Sequence, residues 1–175
     1  VEPIGKACRE RGVFLLGDGA QSVGILHTDV EQLGLDGLAV STQKGLLSLY
    51  GLGFLYCRRS WANRLRPVSL ARFGVDLDQA HEAAKGGDLY NLMAGARRFD
   101  LGNYNYPAAM ACAKSLEIIA TVGTKAIESH VTALAHVLAQ GLFDLGLPVA
   151  GGAPGPHLGS IVSVGELGAK GHDTA

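Results

Sequence analysis

Apolar and polar positions along the chain alternate between short continuous runs and longer helical stripes. Ile4 to Arg11 has helical spacing and stops at Gly12, a residue suited to the left-handed turn that ends helices. Val13-Phe14-Leu15-Leu16 follows as an unbroken apolar run of strand length, closed by Gly17-Asp18-Gly19. A run without alternation predicts a strand buried on both faces, as in a parallel α/β sheet. Gly37 to Ser41 is a second strand, far enough downstream for a crossover and hence for parallel pairing. Gly53 to Cys57 comes too soon for a crossover and is predicted to pair antiparallel.

From about Pro67 to Asn105 the periodicity is lost, predicting a long excursion with about one helical turn. Pro107 to Thr121 then reads as a helix with Ala108, Cys112, Leu116 and Ile119 on one stripe. Gly123 ends it, and Thr124 is placed to cap the next helix. In that helix Ile127, Val131, Leu134, Leu138, Leu142 and Leu145 predict the buried stripe, with Lys125, Ser129, Thr132, His136 and Gln140 opposite. Leu147 to Ala150 and Ser160 to Val164 read as short strands. Strands followed by a helix pair predict an α/β part giving way to a smaller α+β part near residue 105.

Composition narrows the function classes. Of 175 residues, 47% are apolar and 18% charged, which excludes a disordered chain. Fifteen basic residues against sixteen acidic ones leave a net charge of −1, so nothing suggests a nucleic-acid duplex as partner. Cys8, Cys57 and Cys112 are irregularly spaced, with no CxxC, and predict small apolar fillers in a reducing, cytoplasmic compartment rather than a disulfide framework. The six histidines have no metal-ligand spacing, so no metal is expected. The longest uncharged stretch, Leu145 to Gly165, is broken by three prolines and is no membrane span. The chain lacks an initiator Met and ends without a stop signal, so both ends read as cuts through something longer.

Candidate chemistry gathers at strand ends. Asp18, with Gln21 and Ser22 behind it, lies past the carboxyl end of the first strand; Ser41, Gln43 and Lys44 lie past that of the second. Open α/β sheets bind ligands in the crevice outside those ends. Taken alone, Asp18 reads as a turn residue beside glycine and Lys44 as a solvated loop lysine. Taken together, the carboxylate and an amine partly desolvated beside Gly45 read as a reactive pair.

Four blocks carry a resemblance. Gly17-Asp18-Gly19-Ala20-Gln21-Ser22-Val23-Gly24, Val40-Ser41-Thr42-Gln43-Lys44-Gly45, Gly51-Leu52-Gly53-Phe54-Leu55-Tyr56 and Arg98-Phe99-Asp100-Leu101-Gly102-Asn103-Tyr104-Asn105 resemble, in order, the class V aminotransferase family of fold-type-I pyridoxal-phosphate enzymes. That family includes cysteine desulfurases, serine–pyruvate-type aminotransferases and isopenicillin-N-epimerase-like enzymes. The resemblance implies an α/β fold: residues 1–105 as the C-terminal half of the cofactor-binding large domain, with a mixed, mostly parallel sheet, and 106–175 as linking helices and the start of a smaller α+β domain. The family's N- and C-terminal segments are absent. It implies pyridoxal 5'-phosphate as cofactor, a small amino acid as substrate and a homodimer with a shared site. Lys44 would be the catalytic residue, forming the Schiff base and moving the substrate α-proton. Asp18 would face the ring nitrogen, Gln21 the ring oxygen, and Ser41 and Gln43 the phosphate. Asn103 would reach the neighbouring subunit's phosphate; an asparagine turn beside Gly102 explains the residue equally well. Gln43 before the lysine suits the aminotransferase branch, Asp-x-Ala-Gln-Ser the desulfurase and epimerase branches, and Asn103 replaces the family threonine. The branch stays open, and a non-catalytic fragment or interaction module keeping the fold is the alternative.

Overall fold

A computed structural model describes residues 1–77 and 90–165. The described chain forms two compact units. The first holds residues 1–21 and 29–115, and the second 22–28 and those from 116 on.

In the first unit, α1 (Glu2–Glu10) precedes a three-stranded sheet of β1 (Leu16–Asp18), β2 (Gly37–Ser41) and β3 (Gly53–Cys57). β2 is central, parallel to β1 and antiparallel to β3. Both pairings follow the connection lengths read from the chain. Gly12 has φ of +63°, as a left-handed helix terminator requires. Gly5 packs so closely on Leu33 that a Cβ there would sit 2.2 Å from its carbonyl oxygen, fixing α1 against the loop before β2.

The first strand departs from expectation. Regular pairing begins three residues later than the apolar run, and Val13 and Leu16 are half exposed rather than buried on both faces. The run instead serves as an approach. Leu15 accepts hydrogen bonds from the Asp36 and Gly37 amides, both at 3.0 Å. Leu16 lines an open cavity. The core of the unit lies on the other side of the sheet, where Gly17 leaves room for the buried Leu35 and Leu38.

Past β3 come the short α2 (Arg59–Ala62) and the excursion, which holds two 3₁₀ turns (Arg72–Gly74 and Gly95–Phe99) and a ribbon of β4 (Val75–Asp76) with β5 (Asn91–Leu92). The expected single helical turn is thus replaced by these pieces, and residues 78–89 of the excursion lie outside the described residues. α3 (Tyr106–Val122) begins in this unit, capped by Asn105 Oδ1 accepting the Ala108 amide at 3.1 Å. Ala108, Cys112 and Ser115 are buried, whereas Leu116 of the predicted stripe is exposed.

In the second unit, the rest of α3 is followed by α4 (Thr124–Asp144). Its orientation differs from the predicted one. Ala135 and Ala139 are buried, while Leu134 and Leu138 are more than half exposed. Thr124 does not cap the helix: Gly123 holds the cap position, and the Thr124 hydroxyl pairs with His27 Nδ1 at 2.8 Å. The His27 amide donates to Glu128 at 3.1 Å, so this histidine anchors residues 22–28 to α4. The two predicted C-terminal strands reduce to one antiparallel bridge, Val149 to Val164, since Pro148 lacks an amide and Gly151 and Gly152 turn left-handed. All three thiols are free; Cys112 is buried, and burial pushes the Cys57 thiol up. No described helix is long and apolar enough to cross a membrane. No group of metal-ligating residues occurs among the described residues.

Candidate active site

Strand register builds the site. Asp18 ends β1 and pairs with Ala39, so both side chains leave the sheet on one face. Ser41, two residues further along β2, shares that face and is paired with Gly53. Asp18 and Ser41 are therefore diagonal neighbours, with Cα atoms about 7–8 Å apart. Small residues, Ala39 and Gly53, fill the positions beside them. Both side chains line a cavity of about 660 Å³ walled by Leu16, Val40, Phe54 and Leu55.

Asp18 takes the turn that one reading gives it, and it also lines the cavity. One carboxylate oxygen accepts the Ala20 amide at 2.9 Å, closing the turn that the Asp-Gly pair suggests. The residue still lines the cavity, and its second oxygen accepts no hydrogen bond among the described residues. Ser41 is more telling. Its hydroxyl oxygen is buried and has no hydrogen-bond partner among the described residues. Leaving such a group unpaired costs about 1–3 kcal/mol, and buried hydroxyls in native structures are mostly paired.

The other predicted residues stand apart from this wall. Gln21 is exposed and Gln43 half-buried, and neither lines the cavity. Lys44 is exposed, not desolvated. It heads a turn in which its carbonyl accepts the Leu47 amide at 2.9 Å, leaving its side chain in solvent. Asn103 lies on a second cavity of about 660 Å³, lined by Gly51–Leu55 and by residues of the 96–104 stretch. Gly53, Phe54 and Leu55 line both cavities. Asn103 has φ of +53°, a conformation asparagine tolerates in turns, and its side chain is exposed. Next to it, the Tyr104 hydroxyl donates to Asp100, whose carboxylate holds the tyrosine above its ordinary pKa.

Sequence reading missed the residues that hold the lysine loop. Thr42 is fully buried, and its hydroxyl donates to the Leu49 and Leu52 carbonyls at 3.2 and 3.0 Å. Ser48 donates to Ala108 at 2.9 Å and Ser115 to Leu46 at 2.6 Å, and Asn105 Nδ2 donates to Tyr50 at 2.8 Å. Four side chains thus pin residues 42–52 to one another and to the start of α3. Within this loop Leu47 adopts φ of +53°, a strained conformation for a leucine. Strand alternation carried a signal for Thr42, which continues the core-facing series Leu38, Val40; the others depend on long-range contacts.

A mixed sheet with a carboxylate and a hydroxyl at the carboxyl ends of two adjacent parallel strands defines an α/β fold, and such strand ends are where open α/β sheets bind ligands. The chain belongs to the Aminotransferase class-V family, whose model matches residues 1–175. It is 30% identical over 161 residues to the uncharacterized aminotransferase YcbU of Bacillus subtilis, covering 92% of this chain and 41% of that protein. It is 30% identical over 148 residues to a probable cysteine desulfurase of Pyrococcus abyssi, covering 85% of this chain and 35% of the relative. The fold matches an apo structure of a cysteine desulfurase from Thermococcus onnurineus NA1 with a TM-score of 0.72, at 26% identity, over 96% of this chain and 40% of the other. The chain therefore spans well under half the length of these proteins.

Proposed function

We propose that this chain is the lysine-bearing part of a pyridoxal-phosphate-dependent enzyme acting on a small amino acid, by amino-group transfer or by cysteine desulfuration. The family supports the reaction class. One observation carries the site: the partnerless buried hydroxyl of Ser41 on the same cavity wall as the Asp18 carboxylate. A phosphorylated pyridine offers what those two groups lack, an anionic acceptor for the hydroxyl and a ring nitrogen whose proton the carboxylate holds. Of the residues assigned to the site, Asp18 and Ser41 fit that group.

When bound, the cofactor supplies an electron sink for a carbanion at the substrate α-carbon. This chain's residues supply the rest. Asp18 would keep a positive charge on the ring nitrogen. Gln21 would donate to the ring oxygen, and Ser41 and Gln43 would donate to the phosphate. Lys44 would hold the cofactor through its amine and would take and return the substrate α-proton. Thr42, Ser48, Ser115 and Asn105 are positioning residues that fix the loop bearing Lys44. Asn103 would reach the phosphate of a second copy, so that the enzyme would be a homodimer with a shared site, in the cytoplasm. In this reading residues 1–105 belong to the large domain and 106–175 lead into the small one.

Pyridoxal phosphate added to the chain should give a visible band, and borohydride should fix the label on Lys44, located by peptide mass. Lys44→Ala should abolish both. Label spread over several lysines, or a band surviving the substitution, overturns the assignment; a chain that takes up no cofactor is a folded module without the activity.

A further inference from the structure

A second feature lies away from the cavities. Between Arg58 and Val75 the chain carries five arginines and no carboxylate. Those five leave ten basic residues against sixteen acidic ones elsewhere, so a locally strong positive charge sits in a chain that is otherwise acidic. Arg58 is consumed by Glu31 and Asp36. Arg59, Arg64 and Arg66 are exposed and form no ion pair among the described residues.

The backbone between Arg59 and Arg66 is tied down at Asn63 and Leu65. Arg98 donates to the Asn63 and Leu65 carbonyls at 3.1 and 3.3 Å, to Asn63 Oδ1 at 3.3 Å and to the Met93 carbonyl at 3.2 Å. The Gly95 amide donates to Asn63 Oδ1 at 2.9 Å. The end of α2 is thereby tied to the Gly95–Phe99 turn. Trp61 packs edge-on against Phe14, with ring centroids 5.4 Å apart, and the Arg64 guanidinium lies 4.4 Å over its ring. Stacking holds Arg64 extended, and arginine prefers planar, two-pronged anions. Tryptophan and arginine side by side on a rigid base also match the composition of binding hot spots.

We propose that Arg59, Arg64 and Arg66, with Trp61 beneath Arg64, form a docking surface for a carboxylate-rich protein segment. A rigid base spares the ordering cost of binding. Local charge complementarity steers the encounter, and three arginines within the eight residues Arg59 to Arg66 suit a short acidic stretch. The surface is independent of the proposed catalytic reading.

Trp61 is the chain's one tryptophan, so its emission reports on the patch itself. Titrating the chain with a capped hexaglutamate peptide at low salt should shift Trp61 emission saturably, and about 0.3 M salt should weaken binding at least tenfold by screening. Arg59→Glu/Arg64→Glu/Arg66→Glu should lose at least tenfold in affinity, whereas charge reversal at the exposed Arg9 and Arg11 should leave it unchanged. If the triple variant fails to fold by circular dichroism, Arg64→Gln decides, with a loss of about threefold expected. Absence of a saturable shift, equal loss in the Arg9/Arg11 control, unchanged binding by the patch variants, or tighter binding of a single-stranded DNA hexamer than of the peptide overturns the proposal.

Discussion

The two ends of one small sheet treat polar groups in opposite ways. At the end where β2 begins and β3 finishes, everything is paired. Asp36 is buried and uses both carboxylate oxygens, one on the Leu15 amide at 3.2 Å and one on Arg58 Nε at 3.1 Å. Its carbonyl accepts the Arg58 amide at 2.7 Å. The Arg58 guanidinium then forks onto Glu31 at 2.8 and 3.1 Å and reaches the Leu35 carbonyl at 3.2 Å. The Glu31 hydrogen bond, foremost, raises the arginine's pKa. At the other end, where β1 and β2 finish, Ser41 has no partner, Asp18 has an oxygen to spare and Lys44 reaches solvent. A closed network is how a fold secures three chain segments. An open one, in a cavity wall, is where the proposed cofactor would be held.

The sharpest way to break this contrast is Arg58→Ala. It leaves the Asp36 carboxylate buried without its cation, and we expect a loss of about 3 kcal/mol, the low end for broken buried pairs because the guanidinium is a quarter exposed. Glu31→Ala, which removes only the solvent-exposed fork, should cost under about 1 kcal/mol. Urea denaturation of the pair measures the contrast; equal costs would mean that Asp36 is not the centre of the staple.

At the open end the sign should reverse. Ser41→Ala removes an unpaired buried hydroxyl, so the free chain should hold its stability or gain up to about 1 kcal/mol, while retention of pyridoxal phosphate falls. A substantial destabilisation would show that Ser41 is already satisfied and that the two ends are alike.

The smallest effect concerns Tyr104, on the second cavity. Its hydrogen bond to Asp100 raises the phenol's pKa. That contribution is fully present below the unfolded phenol's value, about 10, and is lost as pH rises through the higher folded value. Phenolate absorbance should show one tyrosine titrating late. Tyr104→Phe should remove that tyrosine and flatten the alkaline decline in stability. A phenol titrating with the rest would disprove the bond.

Much of the fold was legible because it is local. Helix ends at Gly12 and Gly123, the paired runs at Gly37 and Gly53, and the sense of each pairing follow from periodicity, turn residues and loop length. The chemistry-bearing residues also lay in order along the chain, and the family resemblance rests on that order. Which apolar stripe α4 buries was not legible. Alanine and leucine rows run side by side on it, and packing selected Ala135 and Ala139 while turning Leu134 and Leu138 outward. Nor was the contrast between the two sheet ends. Asp18 and Asp36 are both aspartates beside a glycine at a strand terminus. A sequence determines which polar groups a chain carries. Only the tertiary structure decides which find partners, because Asp36 meets Arg58 across 22 residues and Ser115 meets Leu46 across 69. Hydrogen bonding acts over about 3 Å in space, however distant its partners lie along the chain.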